Sequence, residues 1–261
     1  VEAGGMLRYG ITSYRLPRNI LDAEIDVLTQ AGVDIRTSAR LGVDIELKSL
    51  LEGGYDAAVL AIGAQRGRLL GVPGEEQCPQ VEDALAFLRR VNDGDRRRPG
   101  RNVVVIGGGA TAVEAGRAAL RLGTESVQIL YRRYRDEMLV SSEEIQAAQS
   151  EGIAFQFLVT PSRIVTEGGR INDLHCVKVG LREPDESGRR RPVAIPGSEF
   201  SVETDCVLSA VGQRADLSFL PSEGWAFLVQ GDRLVVDPKT AMTRMPGVFA
   251  AGDVVRGPST V

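Results

Sequence analysis

Apolar positions along the 261-residue chain switch between helical and strand periods. Leu21, Ile25 and Leu28 follow Pro17 at helical spacing, and Gly32 supplies a stop. Val33–Thr37 reads as a short strand and Glu46–Leu51 as a short helix. Tyr55–Ile62 (YDAAVLAI) is a nearly continuous apolar run bounded by glycines, the pattern of a buried strand. Gly71–Glu76 is rich in turn formers, and Ala84, Leu85, Leu88 and Val91 mark another amphipathic helix. Asn92–Arg101 (NDGDRRRPGR) is polar and carries glycine and proline, which predicts a linker and a domain boundary. Its run Arg96–Arg98 is read as solvated.

Beyond that stretch the pattern becomes strand, glycine loop, helix, strand. Asn102–Ile106 (NVVVI) is the first strand, Gly107–Ala112 the loop, Val113–Leu122 the helix before Gly123, and Ser126–Tyr131 the second strand. This is a βαβ unit of about thirty residues, the length the motif needs. Ser141 and Glu144 are spaced as a capping box for a helix running to about Glu151. Strand-like stretches follow at Ala154–Val159, Arg163–Val165, Leu174–Leu181 and Asp205–Ala210, and Gly168–Gly169 has the form of a hairpin turn. The arginines at 189–191 fall in a polar loop.

Composition narrows the class without naming it. Length favours two domains, and 43% hydrophobic with 25% charged residues is ordinary for a globular protein. A net charge of -4 offers nothing to nucleic acid or to an anionic membrane, and no apolar run is long enough for a bilayer span. The start shows no signal peptide, and Val1 is not an initiator, so residues ahead of it are expected. Cys78, Cys176 and Cys206 form no CxxC pair. A redox disulfide, a zinc site and an iron–sulfur cluster held by this chain alone are therefore not expected, and the sparse cysteines suit a reducing cytoplasm. His175 is the single histidine and reads as structural or exposed, and Trp225 as a core or surface residue rather than an electron relay.

The strongest chemical signal is Gly107-x-Gly109-x-x-Ala112 between a strand and a helix. The first glycine permits the tight turn, the second lets backbone approach a pyrophosphate, and the alanine keeps helix and sheet close. A pyrophosphate there would meet amide groups at the positive end of the helix. The next strand runs into Tyr131-Arg132-Arg133, with no acid before Asp136. An NAD site usually puts an acid there for the ribose, whereas two guanidiniums suit a 2′-phosphate. The alternative is two surface arginines paired with Asp136 and Glu137. Near the carboxyl end, Pro246–Asp253 is an apolar strand closing on Gly252 and Asp253, and Gly257-Pro258-Ser259-Thr260 would open a helix. Asp253 could accept from a sugar-like hydroxyl, and the amides after Pro258 could face an anionic ring edge.

Several segments, in order along nearly the whole chain, resemble the NADPH-dependent flavoprotein family of the glutamate synthase small (beta) subunit, also seen in the flavin–NADPH part of dihydropyrimidine dehydrogenase. They are Gly4–Gly10 (GGMLRYG), Tyr14–Pro17 (YRLP), Ala61–Ala64 (AIGA), Gly107–Ala112, Tyr131–Met138 (YRRYRDEM), Pro196–Phe200 (PGSEF), Ala210–Gln213 (AVGQ) and Gly247–Val261. The resemblance implies an α/β fold of two Rossmann-like domains of the glutathione-reductase type. An FAD domain over 1–95 and 214–261 would flank an NADPH domain over 96–213. Gly4, Gly5, Met6, Leu7, Gly63, Gly252, Asp253, Ser259, Thr260 and Val261 would lie on FAD. Gly107, Gly109, Ala110, Thr111, Arg132 and Arg133 would bind NADP(H), with Gly212 near the nicotinamide.

The implied activity is hydride transfer from NADPH to FAD, with electrons passed to iron–sulfur centres or a partner subunit. No side chain is expected to act as a catalytic acid or base, because the cofactors carry the chemistry. The family commonly has Asn at the position of Ala110, Asp at Glu114, and Pro-Ala at Leu139-Val140. A non-catalytic NADP(H)-binding regulatory or structural subunit is thus a second reading. A disulfide reductase like thioredoxin reductase is disfavoured by the missing CxxC. The family also begins its FAD domain with another strand–GxGxxG–helix unit, often behind a cysteine-rich iron–sulfur region, and neither precedes Gly4. The chain is therefore expected to be a fragment with an incomplete FAD domain and weak retention of FAD.

Overall fold

The computed structural model describes residues 1–76, 78–184, 190–220 and 228–258. The strand Asn102–Ile106 lies in the interior of a five-stranded parallel sheet, between Cys206–Ser209 and Ser126–Tyr131. Val81–Asp83 and Ala154–Phe157 form the two edges. Alternate residues of the central strand serve two cores, as strand geometry requires. Val103 and Val105 pack with Phe87 and Leu88 of the helix Ala84–Asn92 and with Val113, Ala115 and Ala119 of the helix Ala110–Arg121. Val104 and Ile106 pack on the other face with Ile164, Leu174 and Cys176 of an antiparallel sheet.

That second sheet consists of Val159–Glu167, Arg170–Pro184 and Arg190–Val202. Its first turn is the expected one: Gly168 and Gly169 both have positive φ, 57° and 76°, between the paired residues Glu167 and Arg170. The expected patches Arg163–Val165 and Leu174–Leu181 are parts of these longer strands. The capping box also forms: Ser141 Oγ accepts from the Glu144 amide at 3.2 Å, and Glu144 accepts from the Ser141 amide at 3.3 Å.

Two compact units divide the chain. One comprises Val1–Arg8, Ser13–Arg66 and Gly212–Val261, the other Tyr9–Thr12 and Gly67–Val211. These limits differ from the expected ones at 95/96 and 213/214. Residues from 67 onward go with the five-stranded sheet because Val81–Asp83 is one of its strands and Ala84–Asn92 covers one of its faces. The polar stretch 92–100 is not a loose linker. Asn92 Nδ2 donates to the carbonyls of Tyr9 and Ile11 at 3.0 and 3.2 Å. Asp95 binds Arg90 and Arg97, and hydrogen bonds from Arg97 hold its carboxyl well below the usual range. Arg98 pairs with Glu125, as does Arg101 at the next strand's edge.

In the other unit, Ala58–Leu60 pairs in parallel with Val248–Ala250 over a core that includes Leu47, Leu228, Leu234 and Val254. Only these three residues of the expected strand Tyr55–Ile62 are extended, and Val59 is 65% exposed. With one partner among the described residues the pair covers one face, whereas an unbroken apolar run had suggested two. Val33–Thr37 forms no strand: no described strand pairs with it, and Val33 and Ile35 are exposed. The helix behind Pro17 is Arg18–Gln30, with Leu21 buried and Leu28 exposed. The helix expected at Glu46–Leu51 is Leu47–Glu52.

Candidate functional site

The glycine loop leaves the interior strand under tight constraint. Gly107 donates to the Leu130 carbonyl at 3.0 Å and has φ +151°, and a Cβ there would stand 2.4 Å from the Ala210 carbonyl oxygen. Glycine is required by both torsion and space. A Cβ on Gly108 would meet the ring of Tyr131, whose hydroxyl donates to the Glu137 carbonyl at 2.8 Å. Burial raises the Tyr131 phenol above its ordinary value. Gly109 differs from both neighbours: it has extended backbone, and nothing lies within 4 Å of its would-be Cβ. The loop is therefore closed at its first two glycines and open at the third.

Gly109 is also the N-cap of the helix Ala110–Arg121, which starts three residues earlier than expected. No side chain caps that end, and no acid stands in its first turn. A helix start with neither a side-chain cap nor an acid is the arrangement that favours phosphate. Ala110 is exposed, Thr111 half-buried, and Ala112 fully buried against the sheet, as the third motif position requires. Glu114, where the resembling family commonly has Asp, is buried and accepts from Thr12 Oγ1.

Arg132 and Arg133 follow Tyr131 directly, so they stand next to the residue that packs on Gly108. Neither pairs with Asp136 or Glu137. Glu137 instead accepts from the Tyr134 amide at 3.1 Å, closing the single turn Arg135–Glu137. Arg132 is exposed and has no ion pair among the described residues. Arg133 is half-buried, and its Nε is buried with no hydrogen-bond partner among them. An orphaned guanidinium nitrogen is costly, and an anion is its natural complement. The packing of Tyr131 on Gly108 had no signal in the sequence, since an aromatic at a strand end reads simply as core.

In the other unit, Leu60 lies opposite Ala250 in the parallel pair, so Gly63 and Asp253 leave at the same, carboxyl, end. Gly63 has φ +67° and nothing within 4 Å of its would-be Cβ. Gly252 has φ +75°, and Asp253 opens the short helix Asp253–Arg256 half-buried, with no partner for its carboxylate among the described residues. Ligands in open α/β sheets sit beyond such strand ends. Gly4 and Gly5, with φ +120° and +49°, lead into the short helix Gly5–Tyr9, which contains Met6 and Leu7. Its Arg8 is buried, pairs with Glu2 at 2.9 Å and bonds Asp22, which fixes this segment to the helix Arg18–Gln30. Gly212, expected at the edge of the NADP(H) domain, is the first residue returning to this unit. Ser259, Thr260 and Val261 lie outside the described residues.

A family model described as pyridine nucleotide-disulphide oxidoreductase matches residues 4–261. The chain belongs to this family. It is 44% identical over 265 residues to the NADP(+)-dependent formate dehydrogenase subunit beta of Moorella thermoacetica, covering 99% of this chain and 36% of that one. It is 41% identical to the NADPH-Fe(3+) oxidoreductase subunit beta of Geobacter sulfurreducens, covering 99% and 42%, and 34% identical to the glutamate synthase [NADPH] small chain of Azospirillum brasilense, covering 99% and 56%. The chain thus spans between about a third and a little over half of these relatives. FprA from Mycobacterium tuberculosis superimposes with a TM-score of 0.80 at 17% identity, over 98% of this chain and 71% of that one, a likeness of fold. The expected mixed α/β architecture around a parallel sheet, and the resemblance to glutamate synthase small subunits, both hold.

Cys78, Cys176 and Cys206 are free and buried, and burial pushes the Cys176 and Cys206 thiols up to about 12. Such thiols carry almost no thiolate at neutral pH and are inert to exchange.

Proposed function

We propose that the chain is the NADP(H)- and FAD-handling part of an oxidoreductase subunit that takes electrons from NADPH and delivers them to a partner subunit or an iron–sulfur protein. The observation that carries this reading is the open, uncapped and acid-free helix start at Gly109–Ala110, beside a strand that ends in two arginines without acidic partners. The names of the relatives support it, since NADP(+)- or NADPH-linked beta subunits and small chains match almost all of this chain. When bound, the two cofactors supply hydride transfer and the stepwise release of electrons.

The residues have distinct tasks in this reading. Gly107 makes the turn, and Gly109 leaves room for a pyrophosphate over the helix start. Arg132 and Arg133 hold a 2′-phosphate, which selects NADPH over NADH. Asp253 accepts from ribityl hydroxyls, Gly63 permits close approach of its backbone, and Gly4–Leu7, Gly252 and the residues after Pro258 complete the flavin side. Gly212 stands toward the nicotinamide. NADP(H) belongs with the unit containing Gly67–Val211 and FAD with the other. A cytoplasmic setting fits the sparse, unpaired cysteines, and no described helix is long and apolar enough to cross a membrane.

The second reading, an NADP(H)-binding subunit without turnover, is favoured by Ala110 at the loop. Anaerobic addition of NADPH to the flavin-loaded protein separates the two. Bleaching of the flavin absorption is the expected result. An unchanged flavin spectrum under saturating NADPH would support the second reading instead.

A further inference from the structure

Leu158 adopts φ +57°, in the left-handed region that disfavours residues other than glycine, asparagine and aspartate. It joins Ala154–Phe157, the edge of the parallel sheet, to Val159–Glu167, the first strand of the antiparallel sheet. A leucine held there carries backbone strain, and such strain persists only where the surroundings dictate it. Two hydrogen bonds do so. The Leu158 amide donates to the Arg133 carbonyl at 3.3 Å, and the Leu158 carbonyl accepts from the Val179 amide at 2.8 Å. The kink thereby braces the main chain of Arg133 against the second strand of the antiparallel sheet. It does so just beyond the last rung of the parallel ladder, where Tyr131 faces Phe157. Arg133 is the arginine whose buried Nε lacks a partner among the described residues.

We propose that Leu158 is a positioning residue for cofactor choice: its left-handed conformation braces Arg133 so that the guanidinium is pre-set for the 2′-phosphate of NADPH. This rests on the reading above that Arg133 binds that phosphate. Without the brace the segment after Tyr131 gains freedom, and binding must then order it, which weakens affinity. NADH does not use this contact and is unaffected.

Dissociation constants for NADPH and NADH, measured on the full chain, test the idea. Leu158→Val places a β-branched residue where positive φ is least tolerated, and Leu158→Gly accepts it freely. Leu158→Val should weaken NADPH binding about three- to tenfold with NADH unchanged, the size expected when such strain displaces the brace. Leu158→Gly should keep the parent preference, and Leu158→Val should have no further effect in an Arg133→Ala background. A parent-like NADPH preference in Leu158→Val, while Arg133→Ala loses it, overturns the brace and leaves the phosphate reading standing. A parent-like preference in Arg133→Ala removes the phosphate reading itself. Should Leu158→Val fail to fold, hydrogen exchange of the parent decides. The Leu158 amide should be protected more by saturating NADP+ than by saturating NAD+, and equal protection overturns the proposal.

Discussion

The ring of Tyr131 fills the space that a side chain on Gly108 would need, with its Cε2 2.3 Å from an ideal Cβ position. One residue later, Gly109 has nothing within 4 Å. The two adjacent glycines therefore serve different ends. Gly108→Ala should cost about 1–3 kcal/mol of stability, because a packed ring must move. Gly109→Ala should change stability by no more than about 1 kcal/mol yet weaken NADPH binding roughly tenfold, since its methyl stands where the pyrophosphate would approach. Denaturant midpoints and cofactor titrations on both variants read the two effects. Parent-like NADPH affinity in Gly109→Ala would remove the loop as a cofactor cradle.

Acid sensitivity should trace in part to Glu151. Its carboxylate receives hydrogen bonds of 2.6–3.0 Å from Arg117 and Arg121, which hold it at about 2 against an ordinary 4.5. A lowered folded-state value means that the contribution is fully present above about pH 4.5 and fades as pH falls toward 2. Glu151→Gln should cost about 1–2 kcal/mol at pH 7, allowing for partial solvent screening, and progressively less at pH 3. Equal losses at both pH values would mean that the charge contributes nothing.

Thr12 Oγ1 donates to the buried carboxylate of Glu114 within the unit that holds the glycine loop. Thr12→Val keeps the shape and removes the donor. It should destabilise by about 1–3 kcal/mol, while Thr12→Ser restores most of the loss. If thermal unfolding finds valine and serine equivalent, the hydrogen bond contributes little.

What could be read from the chain was local. Gly168–Gly169 and the Ser141–Glu144 box carry their geometry in a few adjacent residues and formed where expected, and the glycine loop formed too, though the helix takes its last three residues, Ala110–Ala112. Non-local pairing was not legible. An apolar run at Tyr55–Ile62 could not reveal how many strands flank it, and Val33–Thr37 could not reveal that none of the described strands pairs with it. Asn92–Arg101 has a linker's composition, yet its charged side chains meet partners distant in sequence, notably Arg98 and Arg101 on Glu125. In the candidate site, the motif residues were visible but their supports were not. Neither Tyr131 beneath Gly108 nor Leu158 behind Arg133 has a residue type that announces its task.

The most direct test of the account is titration of NADPH and NADH against the parent, Arg132→Ala and Arg133→Ala. Hydrogen bonds to charged groups contribute about 1.5–3 kcal/mol, so loss of one should weaken NADPH roughly ten- to a hundredfold. The effect at exposed Arg132 should be the smaller one, because water and salt screen it. NADH, without a 2′-phosphate, should bind all three proteins alike. Unchanged NADPH affinity relative to NADH in both variants would contradict the account and return the two arginines to the protein surface.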